Sequence, residues 1–161
     1  SLTFISNTIK MIQRIQTLYL IISIILIIIT GCLPIAHIVT IDSESTLVWF
    51  QFIHEVAPEQ NKIVWGGLVF GLINILYAVY VIISYSNRPK QAKMCNLLCS
   101  LELVYLITIV TYAYVHSKSV NGALDFSLVV LLPFIAMLFT ILAKRAIIKD
   151  ERLVRSADRL R

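Results

Sequence analysis

The chain has 161 residues, 58% of them hydrophobic and 14% charged, with a net charge of +5. A soluble domain is nearer half apolar and a quarter charged, so this composition excludes an ordinary soluble globule; the length suits a single domain. The cations flank apolar runs instead of forming one stripe, which argues against nucleic acid and for a membrane whose anionic phospholipids meet the basic ends.

A hydrocarbon core of roughly 30 Å takes about 20 helical residues. The first run of that length spans roughly 17–36, nearly pure Ile and Leu, stopped by Gly31 and Pro34. Its end, Ile29-Thr30-Gly31-Cys32 behind Lys10 and Arg14, also resembles a bacterial lipoprotein signal. Cleavage there would lipidate Cys32 and remove the first span. So short a motif arises easily in Ile-rich sequence, and the four-span reading keeps the segment. Residues 37–62 form the one sizeable loop. Ile38-Val39-Thr40-Ile41, the turn cluster Asp42-Ser43-Glu44-Ser45 and the β-formers from Thr46 to Ile53 predict a short β-hairpin. Trp49, Phe50, Phe52 and Trp65 suit a headgroup layer or a docking surface.

The second span runs roughly over 63–84. Gly67 and Gly71 give it a small-xxx-small face, which signals packing. The third spans roughly 95–115. The fourth spans roughly 124–147, with Asp125 in its first turn, favourable to the helix dipole, and Pro133 inside it, where a kink is expected. The tail, 148–161, repeats Leu153, Ala157 and Leu160 at helical spacing, and Glu151 and Arg155 form an i,i+4 pair. It reads as a basic amphipathic helix continuing from the fourth span.

Charge orients these spans. Lys10 and Arg14 precede the first; Arg88, Lys90 and Lys93 lie between the second and third; Lys144, Arg145, Lys149, Arg152, Arg155, Arg159 and Arg161 follow the fourth. Twelve of the fourteen cations thus share one side, and only Lys62 and Lys118 face the other. The positive-inside rule puts both termini in the cytoplasm. The expected fold is all-α and integral to the membrane: an antiparallel four-helix transmembrane bundle, an extracytoplasmic β-hairpin loop and a cytoplasmic amphipathic C-terminal helix.

Glu102 is the acidic residue well inside a span, roughly 10 Å deep at 1.5 Å per residue. A charge at the bilayer centre costs about 2.5–3.5 kcal/mol on insertion scales, so Glu102 should face protein or water. The expected intramembrane cluster is Glu102, Asn74, Tyr77 and Tyr105, with Glu102 bonded to Asn74 or Tyr77 and orienting the bundle. Cys95, Cys99, Glu102, Tyr105, Tyr112 and His116 mark one face of the third span. Ser23 and Thr30 on the first span, and Pro133 and Thr140 on the fourth, are pairs seven apart, which suits a left-handed bundle with inward polar groups. A protonatable Glu102 in a transport path is the functional alternative, but transporters usually carry several ionisable groups and internal repeats.

No catalytic, cofactor-binding or metal site is expected. Three cysteines give no disulfide framework, and Cys95 and Cys99, four apart, read as small packing residues. His37, His54 and His116 lack ligand spacing. Phosphate loops, nucleophile elbows and haem-ligating histidine pairs are missing from the sequence.

Met11-Ile12-Gln13-Arg14-Ile15-Gln16 before Thr17-Leu18-Tyr19-Leu20, and the ending Lys149-Asp150-Glu151-Arg152-Leu153-Val154-Arg155-Ser156-Ala157-Asp158-Arg159-Leu160-Arg161, carry a resemblance. Both are similar to the two ends of a family of short bacterial inner-membrane proteins of unknown function. Members start at the methionine matching Met11, so residues 1–10 depart from the pattern. The resemblance implies a four-helix membrane protein with a basic cytoplasmic tail, and no activity. Partner or lipid docking is expected at Met11, Arg14, Ile15, Arg152, Leu153, Arg155, Asp158, Arg159 and Arg161. The function expected is that of a non-enzymatic accessory subunit of a larger inner-membrane complex, for protein export or respiration. The alternatives are a small transporter or ion-conducting oligomer using Glu102, and a lipid-binding membrane organiser.

Overall fold

The computed structural model describes residues 2–41, 44–48, 51–54, 62–63 and 65–158. Four long helices form a bundle: α1 (Leu2–Cys32), α2 (Trp65–Ile83), α3 (Arg88–Ser119) and α4 (Leu132–Asp158). Five short strands, β1 (Pro34–Val39), β2 (Glu44–Val48), β3 (Gln51–His54), β4 (Lys62–Ile63) and β5 (Ala123–Phe126), make an antiparallel sheet in the order β4-β3-β2-β1-β5. All four helices include a stretch long and apolar enough to cross a membrane. The protein is a membrane protein built on a four-helix bundle with a small sheet.

Each helix buries a stripe with alternating steps of three and four. On α1 it is Gln16, Leu20, Ser23, Ile27 and Thr30; on α2 Gly67, Gly71, Asn74, Ala78 and Val81. On α3 it runs through Gln91, Cys95, Leu98, Glu102, Tyr105 and Ile109; on α4 through Ala136, Thr140, Ala143, Ile147 and Asp150. A period near 3.5 keeps one seam facing its neighbours along the whole bundle. The opposite faces, with Ile21, Ile25, Leu72, Leu76, Leu103, Ile107, Leu138 and Leu142, are exposed and apolar, as lipid contact requires.

The boundaries follow from local chemistry. Helix α1 ends at Cys32, short of the expected 36, because Pro34 lacks an N–H and pushes the residue before it toward extended backbone. Helix α3 starts at Arg88, ahead of the expected 95. Asn87 caps it, its side chain accepting from Lys90 N at 3.2 Å, and Pro89 sits in the first turn. Its other end is a Schellman turn: Asn121 is left-handed (φ 50°), Gly122 N–H donates to Ser117 O at 3.0 Å, and Asn121 N–H to Lys118 O at 3.4 Å.

The predicted hairpin is present as β1–β2, with Val39 opposite Glu44 and Ala36 opposite Leu47. It has grown into a sheet because β5, from the α3–α4 connection, pairs with β1 from Ala36–Phe126 to Val39–Ala123. This moves Asp125 out of helix four, where the sequence places it, and into a strand. Four polar or glycine positions, Ser119, Asn121, Gly122 and Ser127, interrupt helical continuity there, so α4 begins only at Leu132 after a short 3-10 turn (Leu128–Leu131). Pro133 therefore occupies the first turn of α4, where a missing N–H costs nothing, and the kink expected of an interior proline has no cause. Trp49 and Phe50, with Asp42 and Ser43, lie outside the described residues.

The sheet packs on one end of the bundle. A register irregularity between Pro34 and Ala36 lets consecutive residues be buried in different places. Ile35 joins Ile27, Tyr105, Ile109 and Ala136 in the bundle, while Ala36, Ile38 and Leu47 pack on Ala113 of α3. Gly122 is required at this junction, since a Cβ there would lie 2.7 Å from Ile38 Cγ2.

Candidate functional site

Two buried polar clusters stand out against this apolar scaffold. The first divides the bundle core. On one side lies an apolar cluster of Leu20, Ala78, Val81, Cys95, Leu98, Ala143 and Ile147; on the other lies that of Ile27, Tyr105, Ile109 and Ala136. Between them sits Glu102, only 1% exposed. Ser23 Oγ donates to its Oε1 at 2.6 Å and Thr140 Oγ1 to the same atom at 2.9 Å, with the two hydroxyls 3.3 Å apart. One carboxylate oxygen thus joins α1, α3 and α4. Asn74 ties in the fourth helix through its Nδ2, which donates to Phe70 O at 2.8 Å and to Leu101 O at 3.2 Å.

This belt corrects the sequence expectation in its partners. Glu102 is bonded to Ser23 and Thr140, and neither Asn74 nor Tyr77 reaches it. Asn74 spends its amide on the backbone of α3. Tyr77 falls one residue before Ala78 on the buried stripe of α2, and a 100° step turns it aside; it is half-buried against the cluster around Leu20, its ring 6.2 Å from that of Tyr80. Tyr105 is fully buried, but within the apolar cluster beyond Glu102. Three buried oxygens, Glu102 Oε2, Asn74 Oδ1 and Tyr105 Oη, have no hydrogen-bond partner among the described residues.

The second cluster lies at the end of the bundle away from the sheet. Asp150 of α4 is fully buried and forms an ion pair with Arg88 of α3, whose side chain is 19% exposed. Gln16 of α1 donates to the same carboxylate oxygen at 3.4 Å. One helical turn along α3, Gln91 donates to Val81 O of α2 at 2.9 Å. All four helices are therefore joined a second time. The sequence reading assigned Arg88 only to charge bias and gave Asp150 and Gln16 no role. The signal was present: Gln16 precedes Ser23 by seven, and Asp150 follows Thr140 by ten, so both extend the polar seams already recognised.

Both clusters fall within one sequence family. Residues 12–160 match the family described as Domain of unknown function (DUF4293). The chain belongs to the DUF4293 family. Every member of both polar clusters, from Gln16 to Asp150, lies inside the DUF4293 domain, and the family's description carries no activity to transfer. No curated protein matches the chain.

The expected docking residues of this DUF4293 chain are distributed unevenly. Ile15, Arg152, Leu153 and Arg155 are exposed, Leu153 at 48%. Arg155 pairs with Glu151 at 2.6 Å, as the i,i+4 spacing predicts. The side chains of Met11, Arg14 and Asp158 lie outside the described residues, as do Arg159 and Arg161. At the sheet end, His37 Nδ1 lies 3.6 Å from Glu44 Oε1. Among the described residues no three His, Cys, Asp or Glu side chains come together as metal ligands do. Cys32, Cys95 and Cys99 are free thiols.

Proposed function

We propose that the protein is a non-enzymatic accessory subunit of a larger membrane complex, a rigid four-helix scaffold whose outer faces and basic tail do the docking. The observation that supports this most is where the polar groups point. Ser23, Thr140, Glu102, Asn74, Gln16, Arg88, Asp150 and Gln91 tie helix to helix, as structural groups do. The apolar surface is left for lipid or for neighbouring helices. In this reading the membrane is the bacterial inner membrane and both termini are cytoplasmic, as the bias of twelve cations to one side suggests. A protein-export or a respiratory complex fits equally well.

Gentle-detergent purification of the full chain tests this. A stoichiometric heterologous membrane partner is expected. The complementary variant ends after Glu151, so that Asp150 keeps Arg88, and it should lose that partner. A chain that purifies alone, with the shortened variant indistinguishable, would remove the subunit reading.

A second reading is an ion-conducting oligomer using Glu102. It draws on three buried oxygens without partners among the described residues, Glu102 Oε2, Asn74 Oδ1 and Tyr105 Oη. Proton or cation flux into proteoliposomes that is lost in Glu102→Gln would favour it.

A further inference from the structure

Helix α4 is apolar through Leu142 and Ala143, then carries Lys144, Arg145, Lys149, Arg152 and Arg155 within its last turns. Between Lys144 and Arg155 lie two carboxylates, and both are taken. Asp150 faces the bundle and holds Arg88, and Glu151 holds Arg155. Arg145, Lys149 and Arg152 are exposed and have no carboxylate partner among the described residues.

These three cations are not scattered. With Ile148, Leu153 and Ser156 they form one open patch on the outward face of α4. Steps of three and four put Arg145, Lys149 and Arg152 on one face of the helix, next to Ile148. Ser156 turns its hydroxyl hydrogen back to Leu153 O at 2.8 Å, so the positive charge of the patch comes from the three cations. Arg145 stands two residues beyond Ala143, where the helix leaves its apolar stretch and where phosphate groups of a bilayer lie.

The patch has two chemistries side by side. Guanidinium and ammonium groups select a phosphate, Arg by its planar fork and Lys as a point charge. Ile148 and the half-exposed Leu153 offer nothing to an inorganic anion but would cover hydrocarbon. We propose that this patch binds the head group of an anionic phospholipid, with phosphate on Arg145, Lys149 and Arg152 and the first acyl carbons against Ile148 and Leu153. The site stands independently of the subunit reading, since it needs only the chain and a bilayer.

The test uses the purified full chain in detergent, with lipid retention read by native mass spectrometry. Phosphatidylglycerol should be retained and phosphatidylcholine should not. The triple variant R145Q/K149Q/R152Q should lose it, and K149Q alone should weaken retention about fivefold, as removal of one interfacial cation does. Lys118→Gln, which removes an exposed cation at the sheet end of the bundle, should retain the lipid as wild type does. Glycerol phosphate, lacking acyl chains, should fail to compete. Equal retention of both lipids, a triple variant that binds normally, an equal loss in Lys118→Gln, or displacement by glycerol phosphate would each overturn the assignment.

Discussion

Among the described residues two carboxylates are buried, and they are held in opposite ways. Asp150, at the basic end of the bundle, is met by a guanidinium and an amide. Glu102, in the middle, is met by two hydroxyls and, among the described residues, no cation. The first arrangement is an ion pair whose members each depend on the other. The second is a hydrogen-bonded hub in which one carboxylate oxygen accepts from two neutral hydroxyls. Near the membrane surface an Arg can keep part of its side chain wet, so pairing is affordable; at the middle of a span a second full charge would add its own desolvation cost, and hydroxyls do not. Position along the helix thus decides which chemistry can lock it.

Asp150→Asn should break this contrast most visibly. It strands Arg88 beside a buried amide, and losing one member of a buried pair costs about 3 kcal/mol. A large drop in thermal midpoint in detergent is expected, with partial recovery when Arg88→Met is added. Glu102→Ala should cost less, about 1–3 kcal/mol, because the orphaned groups are neutral hydroxyls. Thermal melts of the two single variants, run together, put the two acids on one scale; a larger loss for Glu102→Ala would reverse the comparison.

The hub itself is sharpened by a double-mutant cycle between Ser23→Ala and Thr140→Val. Interhelical hydrogen bonds in membranes couple by about 0.6 kcal/mol on average. A positive coupling of that order is expected, since both hydroxyls share Glu102 Oε1, and additivity within error would count against the hub. The smallest effect belongs to Arg155→Ala. Its side chain is 72% exposed, and an exposed i,i+4 pair with Glu151 is worth about 0.3–0.5 kcal/mol. The thermal midpoint should barely move, which makes this the control for Asp150.

The helices were legible from apolar length alone, and so was Glu102 as an inward residue, since a lone carboxylate in a span has few other places to go. Ser23 and Thr140 were legible as inward positions from their spacing. What sequence could not supply was rotation between helices. By sequence both Asn74 and Tyr77 were candidate partners of Glu102, Tyr77 near its depth and Asn74 one turn deeper, yet a stripe that runs through Gly71, Asn74 and Ala78 turns Tyr77 away. Asp150 was hidden for another reason. It sits within a run of tail charges, and only its register with Thr140 distinguishes an inward acid from a solvated one. The sheet was half visible: β1 and β2 pair locally, but β5 begins 84 residues after the end of β1, and four residues carry no signal of so distant a partner.

We propose Glu102 as a structural hub, satisfied by acceptor geometry and not by its charge. Glu102→Gln tests it most directly, because the amide oxygen can still accept from Ser23 and Thr140. Thermal melting and gentle-detergent purification of the variant would be read together. A midpoint within about 1 kcal/mol of wild type is expected, the range of a replaced neutral hydrogen bond, with an unchanged set of co-purifying partners. A variant that melts normally but loses its partners, or loses ion flux that the wild type carries, would contradict it.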